Sequence, residues 1–471
     1  MDTIFREFRD AFSAGNGYQL SQTLTPQLPK DMLRVIWKSA NHHDVKQVLR
    51  RGIQNSNSSP MNRLTREEVD GWVEVYFTYW KACEHLLAME EGGANVSAMA
   101  MYSCTWRQES NRDGQSSWTI VYEAWKEMLN ALHRGYTNYG FEAWTIPCIY
   151  VGAKNLRIFA IKADRQRNSS SSQDNAGMSF QDDFDPESGK NQQLEDCARQ
   201  LNRMFQLCLS DRAPLEESRK WGIYYIVNLL FKTYFKLNSA SLSKNMLKSL
   251  TAGRGDMPGL DAFPKSQQVT FKYYEGVLHF LEENYVESEK HLTTAWNLCH
   301  KDAMRNKELI LTYLIPCHLL TTHTLPTQKL LEPYPRLQKL FRPLCDSIKK
   351  GELHAFDLAL QEAEDEFVKR RIYLTLERGR DIALRNLLRK VFIAGGFEPA
   401  KEDDAKPLRR TRVPVDEFVA AISLGSQQML DPDEVECLLA NMIYKVSLVF
   451  TCYKLDPFYP SPVTSSARAA M

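Results

Sequence analysis

The most restrictive feature of the sequence is the spacing of aromatic and small residues between positions 271 and 298. Small residues at fixed offsets let two antiparallel helices pack closely, and Gly276 and Ala295 occupy such offsets while Tyr285 stands at the intervening turn. A single pair of helices cannot bury both of its faces, so it must stack on neighbours. We therefore expect segments 201–248 and 306–350 to continue the same stack. The residues that set the spacing are Tyr274, Gly276, Phe280, Tyr285, Ser288, Leu292 and Ala295.

The overall charge gives no general preference for an anionic partner. The chain has 471 residues, with 59 lysines and arginines against 58 aspartates and glutamates, so any charged binding surface must be local. The ten cysteines include no Cys-x-x-Cys pair, which indicates buried free thiols in a reducing compartment. The N-terminus lacks the apolar run of a signal peptide, and no later run approaches membrane-spanning length. We therefore expect an intracellular protein without a membrane anchor.

Changes of pattern predict five segments along the chain. Trp72, Tyr76, Tyr79 and Trp80 follow helical spacing near the N-terminus, which is typical of a buried core stripe. An Asn/Ser run followed by aspartates and glycine then predicts a flexible insert. The predicted segments are an N-terminal helical domain (1–164), a Ser/Asp-rich insert (165–193), helical repeats (194–350), a C-terminal module (351–455) and a flexible tail (456–471).

The C-terminal module combines short helical patterns with a β-prone run. Asp431 at an N-cap, Pro432 at the first helical position and Glu434 three residues after the cap predict the start of a helix. Residues 448–453 are rich in β-formers. Short helices followed by a strand predict a winged helix. Three amphipathic patterns precede these features, at residues 356–367, 372–391 and 415–422.

This combination resembles the PCI family, which is shared by proteasome lid, signalosome and translation initiation scaffolds. The resemblance implies a mainly α fold, in which a TPR-like helical repeat stack is followed by a C-terminal winged-helix (PCI) module. The matching motifs are Tyr274-x-Gly276-x-x-x-Phe280-x-x-x-x-Tyr285, Asn306 with Leu311-x-Tyr313-Leu314-Ile315-Pro316, Leu330-Leu331-x-x-Tyr334, Phe341, Gly351-x-x-x-x-Phe356-Asp357 and Arg385-Asn386-Leu387.

The same motifs resemble one branch of that family. It holds the PCI subunit of the transcription-coupled mRNA export complex and the signalosome-associated twelfth subunit of fungi, and the aromatic N-terminal half and Ser-rich insert favour the second. The resemblance implies a non-enzymatic scaffold that pairs with a second PCI-domain protein and a small acidic, disordered subunit. Such a platform would hold RNA or DNA in mRNA processing or export, in the nucleus with a further cytoplasmic pool. The alternative is a protein-only adaptor associated with the signalosome or the proteasome lid.

A basic stretch from Lys369 to Arg412 is the strongest charge pattern, because thirteen cations stand against six carboxylates and give a net charge of +7. Such a surface can neutralise nucleic-acid phosphates, although a solvated helix face or contacts with an acidic subunit account for it equally well. Arg385 and Arg389 are four residues apart and share one helical face, with Lys390 at its border. The candidate nucleic-acid-binding residues are Lys369, Arg370, Arg371, Arg385, Arg389, Lys390, Arg409, Arg410 and Arg412.

Two further charge patterns refine the expected partners. Asp433, Glu434 and Glu436 at the start of the last helix would repel a DNA backbone, so we expect backbone binding without base specificity. The small acidic subunit would meet positive charge near the end of the repeats. The candidate residues for that contact are Lys329, Arg336, Lys339 and Arg342.

The sequence contains no motif for catalysis or for a cofactor. It lacks a Gly-x-Ser-x-Gly elbow, a phosphate-binding glycine loop and a His-Glu-x-x-His motif. His42 and His43 are adjacent and would point to different faces of a helix, so they do not predict a metal site. The acidic run from Glu362 to Glu366 has no evident partner and is interpreted as a solvated face. We therefore expect neither enzymatic activity nor a bound cofactor or metal.

Overall fold

The computed structural model describes residues 2–26, 44–54, 64–90, 117–174, 191–397, 410 and 412–444. Over these residues the chain is mainly α and has no strand. It divides into two compact units, Met1–Phe271 and Lys272–Met471. No helix in these ranges combines the length and apolarity needed to cross a bilayer. The β-prone run at 448–453, the tail at 456–471, and His42 and His43 lie outside the described residues.

Among its described residues, the first unit contains nine complete α-helices. They are α1 (Asp2–Ser13), α2 (Gly17–Gln22), α3 (Val45–Gln54), α4 (Arg66–Glu90), α5 (Trp118–Asn138), α6 (Pro147–Asp174), α7 (Gln192–Leu209), α8 (Ile223–Lys236) and α9 (Ala240–Ala252). The next helix, α10 (Lys265–Leu281), crosses the division between the units.

The described part of the second unit contains ten further helices. They are α11 (Tyr285–Leu298), α12 (Met304–Thr321), α13 (Gln328–Leu331), α14 (Pro335–Lys350), α15 (Leu353–Glu362), α16 (Glu364–Lys369), α17 (Tyr373–Glu377), α18 (Gly379–Ala394), α19 (Val415–Ser426) and α20 (Pro432–Tyr444).

An aromatic core holds the first unit together. Trp72 of α4 is buried and stacks on Phe141, with ring centroids 4.2 Å apart. Trp125 of α5 is also buried and donates a hydrogen bond of 2.9 Å from its indole nitrogen to the carbonyl of Gly152 in α6. Because buried aromatic rings remove large apolar areas from water, they dominate the stability of such a core. The predicted core stripe Trp72, Tyr76, Tyr79 and Trp80 is confirmed as buried.

A buried carboxylate joins α6 to α7 across the predicted insert. The carboxylate of Asp164 in α6 accepts hydrogen bonds from the backbone nitrogens of Gln193 and Leu194, at 3.0 and 2.9 Å, at the start of α7. Backbone N–H groups at a helix N-terminus lack intrahelical partners and favour such a negative charge. Helix α6 continues to Asp174, beyond position 165 where the sequence placed the insert. Arg165, Gln166 and Arg167 are good helix formers and carry the helix into the Asn/Ser run. The five-segment division stays a prediction.

The helical hairpin that the sequence spacing predicted is present in the second unit. A Cβ on Gly276 would lie 2.7 Å from Cγ of Leu292, so α10 and α11 approach too closely there for any side chain. The Ser288 hydroxyl donates a hydrogen bond of 2.8 Å to the Gly276 carbonyl. The prediction that Gly276 lies at the helix crossing is therefore confirmed. Ala295 is buried, but the closest contact to Gly276 comes from Leu292.

The C-terminal helices differ from the sequence patterns in two places. The pattern at 356–367 is divided into α15 and α16 by Ala363, which has φ −108° and ψ 11°, and the pattern at 372–391 is divided into α17 and α18. Apolar spacing persists across a break of one residue, so periodicity alone does not reveal it. The start of α20 is confirmed, since the Asp431 backbone nitrogen lies 3.4 Å from the Glu434 carboxylate in a capping arrangement.

The loop between α7 and α8 is fixed by Asp211. Its buried carboxylate accepts hydrogen bonds of 2.7 Å from the Arg219 guanidinium, 2.7 Å from the Arg219 backbone nitrogen and 2.9 Å from the Ser218 hydroxyl. Burial opposes ionisation of Asp211, but these hydrogen bonds outweigh it and lower its pKa to about 2. The ionised carboxylate therefore stabilises the folded first unit.

We predict that Asp211→Asn lowers the free energy of unfolding by about 2 kcal/mol at pH 7. A folded-state pKa below the ordinary value gives stability that is present above about pH 4 and lost as the pH falls towards about 2. Urea denaturation of both proteins across this range measures the difference. The control is Asp261→Asn, at an exposed aspartate. Equal midpoints for Asp211→Asn and the wild type at pH 7 would contradict the role given to this carboxylate.

Candidate interaction surface

The surface is organised by the C-terminal end of α14, which rests on α18. The side-chain amide of Asn386 donates a hydrogen bond of 2.9 Å to the Ile348 carbonyl, and the Lys390 ammonium donates one of 2.8 Å to the Lys350 carbonyl. The last carbonyls of a helix lack the usual donor four residues on, and α18 supplies donors to two of them, although the Ile348 carbonyl also accepts a hydrogen bond of 3.3 Å from the Gly351 backbone nitrogen. Gly351 and Asn386, which belong to motifs far apart in the sequence, therefore lie at the same contact between α14 and α18.

Gly351 ends α14 in a left-handed conformation, with φ 68° and ψ 30°. A Cβ at this position would lie 2.8 Å from the Cα of Leu387, which is backbone and cannot rotate away. Both the conformation and the close approach favour glycine. The contact sets the position of α18 and hence of the cations that α18 carries.

Helix α18 presents part of the predicted basic surface. Its buried face includes Leu384 and Leu388, while Arg389 and Lys390 are exposed and Arg385 is half-buried. Neither Arg385 nor Arg389 forms an ion pair with any described residue. The structure therefore leaves these two guanidinium groups available to a partner.

Four other cations of the basic stretch are neutralised within the fold. Each forms an ion pair with a carboxylate that the sequence count did not include, so the net charge of +7 overstates the charge of this surface. The pairs are Arg370 with Glu366 (2.7 Å), Arg378 with Glu283 (2.7 Å), Arg380 with Asp357 (3.0 Å) and Arg410 with Glu417 (2.9 Å).

Glu366 joins the two predicted binding regions. Its carboxylate is paired with both Arg336 of α14 and Arg370, which follows α16. The hydrogen bond from Arg370 is the main reason why the pKa of Glu366 is lowered. The interpretation of this acidic run as a solvated face is therefore wrong at Glu366. The i,i+4 spacing of Glu366 and Arg370 was the signal available in the sequence.

The remaining candidate residues are spread over the second unit. Lys369, Arg371, Arg412, Lys329 and Lys339 are exposed and form no ion pair within the described ranges. Arg342 lies 3.7 Å from Asp346 on the exposed side of α14. Arg409 lies outside the described residues.

Comparison with known proteins places these features in a family. A protein of Neurospora crassa named "Protein CSN12 homolog" is 69% identical over 446 residues, which cover 94% of this chain and 94% of that protein. A protein of the same name from Gibberella zeae is 59% identical over 451 residues, again covering 94% of each. "PCI domain-containing protein 2" of Danio rerio is 30% identical over 325 residues, covering 69% of this chain and 73% of that protein. No family model matches the sequence.

The helical stack and its C-terminal helical module define a PCI-type protein, as the sequence motifs predicted. Identity to both groups of relatives places the chain in a particular branch. The chain belongs to the PCI-domain family, in the branch of the proteins named CSN12 homolog and PCI domain-containing protein 2. The higher identities are to the proteins named CSN12 homolog, and none of the three names denotes an enzyme.

We predict that Gly351→Ala lowers the free energy of unfolding by more than about 2 kcal/mol, because it adds a backbone clash to left-handed strain. Gly396→Ala is the matched control, since Gly396 has φ +72° and a Cβ there would lie 4.0 Å from the Ala394 carbonyl oxygen. In this control the added methyl group causes only the backbone strain of a positive φ, so we expect a loss of about 1 kcal/mol in the free energy of unfolding. Urea denaturation compares the two variants, and an equal loss in both would contradict the close seating of α14 on α18.

We also predict that Glu366→Gln lowers the free energy of unfolding by about 0.5–1 kcal/mol at pH 7, the range for a partly exposed ion pair. Because the folded-state pKa of Glu366 is lowered, this contribution is present above about pH 4.5 and is lost as the pH falls through the folded-state value. The exposed Glu362→Gln variant is the control. The pairing would be contradicted if the free energies of unfolding of the wild type and Glu366→Gln differed by the same amount at pH 7 and at pH 3.

Proposed function

We propose that the chain is a non-enzymatic scaffold subunit that acts as a protein-binding adaptor associated with the signalosome or the proteasome lid. The observation that carries this proposal is the internal neutralisation of Arg370, Arg378, Arg380 and Arg410. Paired arginines contribute little to a phosphate-binding field, whereas arginine is enriched at protein interfaces. The name shared by the relatives from Neurospora crassa and Gibberella zeae supports the same proposal.

Exposed apolar side chains beside the paired cations also support protein binding. Leu358 of α15, Val368 of α16 and Leu374 of α17 are 46%, 54% and 69% exposed, and α17 contacts both α15 and α16. Large exposed apolar side chains on neighbouring helices are candidates for a protein-binding surface. We infer that a partner subunit covers this part of the second unit.

A second candidate function is a nucleic-acid platform for mRNA processing or export in the nucleus. It would be formed with a second PCI-domain protein and a small acidic, disordered subunit. The observation that favours it is the group of cations without an ion pair in the described part of the chain, Lys369, Arg371, Arg385, Arg389, Lys390 and Arg412. Exposed Lys329 and Lys339 would then face the acidic subunit. These cations would contact the phosphate backbone without reading the bases.

Purification of the tagged full chain from cell extract separates the two candidates. We expect signalosome or lid subunits in the eluate, identified by mass spectrometry. We also expect that Arg385→Glu plus Arg389→Glu reduces recovery of those subunits and leaves RNA binding by the purified chain unchanged. The control is Lys290→Glu plus Lys301→Glu, at exposed lysines of the same unit.

A different set of partners would favour the nucleic-acid platform. Recovery of a second PCI-domain protein and a small acidic subunit, with RNA binding that falls steeply with salt and is lost in the Arg385→Glu plus Arg389→Glu variant, would contradict the adaptor proposal. The cations of α18 would then contact phosphates and not protein.

A further inference from the structure

Helices α6 and α8 of the first unit lie side by side in a fixed register. The ring of Tyr150 in α6 stacks on that of Tyr225 in α8, with centroids 4.0 Å apart. Two turns further along both helices, the Arg157 guanidinium donates a hydrogen bond of 3.0 Å to the Lys232 carbonyl. Both intervals are seven residues, or about 10 Å of helix. The two helices therefore run in the same direction with matched faces.

A row of cations lies along the contact between α6 and α8, which we call the seam. Lys154 and Arg165 lie on the side of α6 that carries Arg157, and Lys232 and Lys236 are one turn apart on α8. Lys154, Arg165, Lys232 and Lys236 are exposed and have no ion pair with a described carboxylate.

The cations of the seam are close enough to oppose one another's charge. Partial burial, with the charges of Arg157 and Lys154, lowers the pKa of Lys232. Partial burial and the charges of Arg165 and Arg157 also lower the pKa of Lys236. The charge of Asp164 acts in the opposite direction. That carboxylate is buried and bonded to the start of α7 and to Arg167, so it offsets only part of the positive charge of the seam. Like charges at this proximity repel one another, and a bound anion relieves that repulsion.

An exposed aromatic ring lies at one end of the seam. Tyr18 of α2 is 61% exposed, and α2 packs against α6. Burial raises the pKa of Tyr225, and the proximity of Tyr18 adds to that effect. Tyr18 therefore lies on the helix that packs against α6, within electrostatic range of Tyr150 and Tyr225.

We propose that this seam binds the backbone of a single-stranded nucleic acid, with Lys154, Lys232, Lys236 and Arg165 on successive phosphates and Tyr18 stacked against a base. The site lies in the first unit and does not depend on the adaptor function or on the cations of α18. It would give the chain a nucleic-acid contact of its own.

The aromatic end of the seam favours a nucleic acid over an acidic protein segment. Proteins that bind single strands without sequence preference combine a positive groove with aromatic side chains, because every base offers a flat face for stacking. An acidic peptide would use the cations and gain little from an exposed tyrosine. The row of cations extends about 16 Å from Lys154 to Arg165, which is long enough for several nucleotides.

The test is fluorescence anisotropy of the full chain with labelled oligouridine and oligothymidine of fifteen nucleotides, over a series of salt concentrations. We expect Lys232→Gln plus Lys236→Gln to weaken binding about tenfold at low salt and to reduce the slope of log affinity against log salt by about 1.4, the value for two lost phosphate contacts on a single strand. We expect Tyr18→Ala to weaken binding about fivefold or more without changing that slope.

Matched variants distinguish binding at the seam from binding elsewhere on the chain. Lys248→Gln plus Lys265→Gln removes the same charge from exposed lysines of the first unit, away from the seam, and should leave affinity unchanged. Loss of binding in Arg385→Glu plus Arg389→Glu with no effect of Lys232→Gln plus Lys236→Gln would overturn the proposal. It would also be overturned if oligoglutamate competed as well as the oligonucleotide and Tyr18→Ala had no effect, because the seam would then be a site for acidic protein.

Discussion

The seating of α14 on α18 is the contact on which the second unit depends. Asn386 and Lys390 supply donors to the carbonyls at the end of α14, and Gly351 lets the two backbones approach without a side chain between them. Helices α15 and α19 also contact α18, so its position fixes theirs. A change at Gly351 would therefore move a set of helices and the charges that they carry, and would not remain local.

The net charge of a surface in this unit depends on which carboxylates the fold brings to each arginine, and not on the local sequence alone. A run of cations suggests a strongly positive surface, but several of its arginines pair with carboxylates outside the run, as Arg378 pairs with Glu283 in the turn between α10 and α11. Ion pairs at a protein surface contribute about 0–1 kcal/mol each, so their main consequence here is to lower the local field. The guanidinium groups of Arg385 and Arg389 remain for contacts with another molecule. We therefore propose that the second unit serves protein assembly and that the seam of α6 and α8 binds nucleic acid.

Periodicity and spacing predicted much of this fold because they report local packing. The aromatic stripe around Trp72, the tight crossing at Gly276 and the start of α20 each follow from residues within a few turns of one another. Contacts between distant residues were not predictable in the same way. Arg378 and Glu283 are 95 residues apart, and Asp164 caps a helix that begins on the far side of the insert. Nothing in one sequence identifies such partners, so the sequence provided candidate cations but not the carboxylates that pair with them.

We propose that the exposed cations of the second unit face other protein subunits. Cross-linking of the native complex with a lysine-reactive reagent, followed by mass spectrometry, tests that assignment directly. We predict cross-links from Lys369 and Lys390 to other proteins, whereas the exposed Lys301 serves as the reference for non-specific reaction. An absence of protein cross-links at Lys369 and Lys390 above that reference, together with photo-cross-linking of RNA to the same helices, would contradict it.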